Sequence, residues 1–158
     1  MSYYEEIVSE YLQARGQFIR REFFIALDKT PQPAKGRSWY VDVLAVDFGE
    51  RTVWLCEVSF AKTLYALRAR FKQWSDNWEL IQQALRAEIA IGSEWQIRPW
   101  AFTPEELKPV YESGLQKIGP LAFDPKWSTL EDTAPWRLPA GSTLRALART
   151  DLSAQDRD

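Results

Sequence analysis

An α/β layered domain follows from three features of the chain. Two apolar runs rich in Val, Leu and Trp meet at Gly49-Glu50, a regular apolar stripe steps from Leu64 to Leu85, and Gly and Pro separate further runs of both kinds. In order they predict a helix, a three-stranded antiparallel meander, a long helix, a strand and a helix. The central sheet is then mixed, its fourth strand reached by a helical crossover. With 158 residues, 46% of them hydrophobic and 27% charged, the chain is long enough to bury one core.

The first helix opens on a capping box, Ser2 with Glu5 three residues on, and Tyr4, Ile7, Val8, Tyr11 and Leu12 make its apolar stripe. Gly16 stops it. Residues 18–27 read as a strand with a polar centre at Arg20, Arg21 and Glu22, and residues 28–37, with Pro31, Pro33 and Gly36, as a loop. Residues 39–48 and 52–60 form a hairpin, Gly49 opening a two-residue type II′ turn. Residues 63–91 read as one long helix with Leu64, Leu67, Phe71, Trp74, Trp78, Ile81 and Leu85 on one seam. The seam suits a sheet, with a partner helix or second copy as the other candidate. Arg68, Arg70 and Lys72 make the helix's first half basic; Asp76, Glu79 and Glu88 make its second half acidic. Residues 95–102 form a strand, and a helix runs from Thr103 as N-cap, with Pro104 at N1, to about Lys117. The domain spans 1–119. Residues 120–149, punctuated by prolines, are an irregular extension packed on it, with room for a short helix at 142–149, and 150–158 is a disordered tail.

Composition removes several classes of function. There is no histidine, so imidazole acid-base chemistry and histidine zinc sites are excluded, leaving carboxylates, lysines, hydroxyls or a hard cation on oxygen ligands. No apolar run approaches the roughly 20 residues of a membrane span, and the polar opening Ser2-Tyr3-Tyr4-Glu5-Glu6 does not read as a signal peptide. One cysteine, Cys56, permits no internal disulfide and fits a reducing, cytoplasmic setting. A net charge of −2 gives no global basic field, so a nucleic-acid partner needs a local patch. Eight tryptophans are scattered and are expected mainly to pack, an exposed stacking surface being the alternative.

Asp42 and Glu57 are mirror positions about the Gly49-Glu50 turn. A symmetric loop there sets them opposite each other on one face, roughly 5 Å apart at Cβ, which is unfavourable unless something positive lies between them. Mg²⁺ or Mn²⁺, with water and a backbone carbonyl completing an oxygen shell, is one remedy and a lysine another.

The runs Tyr40-Val41-Asp42-Val43-Leu44-Ala45 and Trp54-Leu55-Cys56-Glu57-Val58-Ser59 resemble the D…E-x-K core of the PD-(D/E)XK nuclease superfamily. The likeness is nearest to its Holliday junction resolvase and restriction-endonuclease-like branches, and it covers roughly residues 2–102. It implies a restriction-endonuclease-like fold and metal-dependent hydrolysis of DNA, with Asp42 and Glu57 as ligands of Mg²⁺ or Mn²⁺ and Glu5 or Glu6 as a helix carboxylate near the site. The family lysine is Ser59 here, a degenerate E-x-S. Lys62 is the expected stand-in for it and Lys72 a second candidate, while Arg68, Lys72, Lys35 and Arg37 are the expected contacts to DNA. Degenerate members keep the fold and lose the chemistry, so a non-catalytic DNA- or protein-binding module is the alternative function.

Overall fold

The computed structural model describes residues 2–27 and 38–134. Its elements are α1 (Tyr3–Ala14), β1 (Phe18–Ala26), β2 (Ser38–Asp47), β3 (Thr52–Val58), α2 (Tyr65–Asp76), α3 (Trp78–Ile89), β4 (Gln96–Thr103), a 3₁₀ turn (Glu105–Leu107), α4 (Lys108–Ile118), β5 (Lys126–Thr129) and α5 (Leu130–Thr133). The strands lie in one open sheet of order β1-β2-β3-β4-β5. The first three are antiparallel, while β4 and β5 run parallel to β3. This is the expected mixed α/β sheet with its helical crossover.

Two cores sandwich the sheet. Val53, Leu55, Leu44, Ile97 and Ala101 meet Leu67, Phe71, Trp74, Ile81 and Leu85 of α2 and α3 on one face. Val43, Ala45, Trp54, Cys56, Trp100 and Phe102 meet Tyr4, Ile7, Val8 and Leu12 of α1 on the other. Alternation along β3 therefore serves two dry faces, and every residue from Thr52 to Glu57 is buried. The helical seam packs on the sheet as expected. Trp54, Trp74 and Trp100 are core residues, and Trp78, Trp95 and Trp127 pack against the core, so these six make no stacking surface.

Four expectations change. The single long helix is two, because at Asn77 (φ −123°, ψ 23°) the helix breaks. The Asn77 side-chain amide donates to the Gln73 carbonyl, and its backbone N–H drops to the Trp74 carbonyl, three residues back. The hairpin turn is longer than two residues, closing at Asp47 opposite Thr52. The Asp47 carboxylate accepts the Glu50 N–H, and the left-handed residue is Arg51 (φ 50°) where Gly49 had been expected. Thr103 does not cap a helix with its side chain; a 3₁₀ turn intervenes, and its hydroxyl accepts from the Trp127 indole instead. Finally, Lys126–Thr129 adds a fifth strand in a stretch expected to be irregular. The expected loop at 28–37, the short helix at 142–149 and the tail at 150–158 lie outside the described residues. No helix among the described residues is long and apolar enough to cross a membrane.

Candidate acidic site at the end of the central strand

The β2–β3 ladder runs from Asp47 opposite Thr52 to Val43 opposite Cys56, which sets Asp42 opposite Glu57 at the next step. There the ladder stops. The Asp42 Oδ2 accepts the backbone N–H of Val58 at 2.8 Å, so a side chain replaces a strand-to-strand bond. An irregularity in β1 lies at the same level. Glu22, the residue facing Asp42 across the β1–β2 ladder, has φ 50°, a left-handed conformation uncommon for a non-glycine residue inside a strand. Around it the face alternation breaks: Val41 packs under α2 and α3, whereas Val43 and Ala45 pack under α1. Such conformations collect at functional sites, and this one coincides with the point where Asp42 leaves the ladder.

Glu57 points to the α2 side and is 5% exposed. Between it and Asp42 reaches Arg70, in the second turn of α2 and one-third exposed. Its Nη1 donates to Glu57 Oε1 at 3.0 Å and Oε2 at 3.1 Å, and to the Tyr40 carbonyl at 2.6 Å, and lies 4.0 Å from Asp42 Oδ1. Three carboxylate oxygens and a carbonyl thus surround one cationic nitrogen. Glu5, Asp42, Glu57, Ser59, Leu67 and Arg70 line a hollow of about 170 Å³ at this point.

Burial, then the neighbouring Asp42 charge, push the Glu57 carboxyl well above the ordinary glutamate value, with Arg70 opposing both. Burial and the two nearby acids likewise raise the Cys56 thiol well above its ordinary value. The Glu57 shift has a consequence for stability. The folded protein keeps the Glu57 proton to higher pH than the unfolded chain. Its contribution is therefore fully present below the ordinary value of 4.5 and is lost as pH rises through the folded value. Glu57→Gln has no proton to lose. Urea midpoints across a pH series should fall in the wild type above about pH 4.5 and stay flatter in the variant; parallel curves would refute the shift.

Of the residues predicted for the site, the fold brings together Asp42, Glu57 and Glu5, with Ser59 beside them. Glu5 also closes the α1 capping box, its Oε2 accepting the Ser2 N–H at 3.1 Å. Lys62 and Arg68 line a different hollow, between the start of α2 and α4. Lys72 pairs with Asp76 at 2.6 Å on the exposed side of α2. Lys35 and Arg37 lie outside the described residues. The cation between the acids is Arg70, which sequence reasoning placed in the basic half of the helix without assigning it to the site. The signal was present: the pair required a positive partner, and Arg70 directly precedes the buried Phe71 on the helix that follows Glu57.

The donor set suits a hard cation. Both carboxylates and a backbone carbonyl already converge on one positive centre, although among the described residues no group of three or more Asp, Glu or Cys side chains forms a metal cluster. Comparison with family models, with curated proteins and with solved structures finds no match for this chain.

Proposed function

We propose that this chain is a Mg²⁺- or Mn²⁺-dependent phosphodiesterase acting on DNA in the cytoplasm, built on a restriction-endonuclease-like fold. The oxygen shell around Arg70 Nη1 is the observation that carries it: Glu57, Asp42 and the Tyr40 carbonyl enclose a position that already demands a positive charge. Asp42 and Glu57 would hold the ion, with Glu5 at the rim of the hollow. A divalent ion in such a shell lowers the pKa of water and neutralises phosphate charge. Arg70 is the resident counter-ion of the ion-free protein; released from Glu57, its one-third-exposed guanidinium would be free to pair with a phosphate. The Ser59 hydroxyl lines the same hollow and supplies a donor where the family carries lysine. Exposed Tyr65, at the start of α2, offers a ring face to an unstacked base. The resemblance of the two strand runs and the matching element order support the fold name and the substrate.

One specific feature favours the non-catalytic alternative. Ser59 cannot carry the positive charge of the lysine it replaces, and an ion pair fixed permanently over the acids would make the site structural. Calorimetric titration with Mn²⁺ separates the two. The enzyme binds Mn²⁺ and cleaves duplex, single-stranded or branched DNA, and Asp42→Ala loses both binding and cleavage. A wild type that neither binds Mn²⁺ nor cuts any of the three substrates leaves the non-catalytic module.

A further inference from the structure

Beside the acidic hollow, on the far flank of the α2 start, lies a second and larger one of about 450 Å³. Lys62, Arg68 and Lys117 line it together with the hydroxyls of Thr63 and Ser113, and no described acidic residue does. None of the three cations is in an ion pair among the described residues. Arg68 Nε is buried and meets no acceptor. Leaving a buried donor of a charged group unsatisfied costs more than leaving a neutral one, so the Arg68 guanidinium gains from an acceptor that draws it out from under α4. Thr63 Oγ accepts the Tyr65 N–H at 3.3 Å, which leaves the hydroxyl proton to be donated elsewhere. The local sequence makes room for this. Gly114 lies in α4 under the Arg68 stem, and a Cβ there would stand 2.3 Å from Arg68 Cδ. Lys62 and Lys117 are exposed and Arg68 half-buried, so three cations without an acidic partner among the described residues line one solvent-reachable hollow, on a chain of net charge −2.

We infer that this hollow is a phosphate-binding site, in which Lys62, Arg68 and Lys117 take phosphate groups from a nucleic-acid backbone or from a free phosphate compound. Phosphate is the anion that matches the set: lysines act as point charges, the arginine as a directional donor, and the hydroxyls fill the remaining acceptor positions. The site gives Lys62 a function outside the acidic hollow. Under the nuclease assignment, on which this part alone rests, it holds a second phosphate of the strand whose scissile phosphate lies over Asp42 and Glu57. Binding here requires no divalent ion.

The test is therefore run in EDTA, with pyrophosphate and with a short single-stranded oligonucleotide as separate titrants on the full chain. Lys62→Ala and Lys117→Ala should each weaken binding about five- to tenfold and lower the salt slope for the oligonucleotide by about 0.7. Gly114→Ala guards against a folding artefact. The helix preference of alanine over glycine offsets part of the clash of its Cβ with the Arg68 stem, so urea unfolding should show a folded, cooperative variant while the displaced Arg68 lowers affinity. Binding of pyrophosphate alone identifies a free phosphate compound as the source, and tighter binding of the oligonucleotide identifies the backbone. If neither titrant binds below millimolar concentration, or if the variants bind like wild type, the site does not exist. Because no metal is present, that failure is separate from any failure of Mn²⁺-dependent cleavage.

Discussion

Arg70→Ala should bind Mn²⁺ more tightly than the wild type while being less stable without it. In the native protein an entering ion must displace a guanidinium that contacts both Glu57 oxygens and the Tyr40 carbonyl. Breaking a fully buried pair by removing one partner costs about 3–5 kcal/mol, but Arg70 is one-third exposed and solvent screens it, so about 1–3 kcal/mol is expected. Linkage is reciprocal: the free energy the ion no longer spends displacing Arg70 appears as affinity, roughly a 5- to 150-fold gain. A proton on Glu57 competes with the metal. Arg70 holds the Glu57 carboxyl down against burial and Asp42, so its removal raises that group further. The affinity gain should then be larger at pH 8 than at pH 6, and the stability loss should shrink as pH falls and Glu57 becomes neutral. Calorimetry at both pH values, with urea unfolding beside it, reads all of this. An unchanged or weaker Mn²⁺ affinity would mean that Arg70 is part of a permanent structural pair.

The opposition of Asp42 and Glu57 was legible because it depends only on the symmetry of the loop. Whether two or four residues turn, Asp47 opposite Thr52 and Asp42 opposite Glu57 belong to the same register. The buried seam was legible for a similar reason. Asn77 leaves the helix, yet Trp74, Trp78 and Ile81 keep helical spacing across the break, so the stripe conceals the kink. Which flank of that helix reaches the acids was not legible. It depends on how the chain turns between Val58 and Tyr65, where Leu64 takes a left-handed φ of 50°. That turn carries Lys62 to the α4 side and sets Arg70 over Glu57. Nor does the pattern of β1 announce that Glu22 will be left-handed, because glutamate has no preference for that region. β5 is four residues long with Trp127 its single apolar residue, too short for its alternation to stand out from a loop.

Leu67 joins the core to the site, and Leu67→Ala should destabilise the fold by about 2–5 kcal/mol. The side chain is 3% exposed, belongs to the cluster of Leu55, Phe71 and Trp74, and also walls the acidic hollow beside Glu57. Removing it deletes buried contacts and merges the space left behind with a hollow of about 170 Å³ that opens to solvent. Water can enter such a space, so the loss should fall in the lower half of the range, unlike a sealed cavity in a dry core. The same water lightens the burial that raises Glu57 and brings its carboxyl back toward the ordinary value. Leu67→Ala should therefore lower the urea midpoint at every pH and also flatten its decline above about pH 4.5. Leu80→Ala supplies the control: Leu80 is 53% exposed on α3, and its truncation should stay within about 0.5 kcal/mol. A Leu67→Ala loss well below about 1 kcal/mol, comparable to the Leu80 control, is incompatible with the seam packing on the sheet.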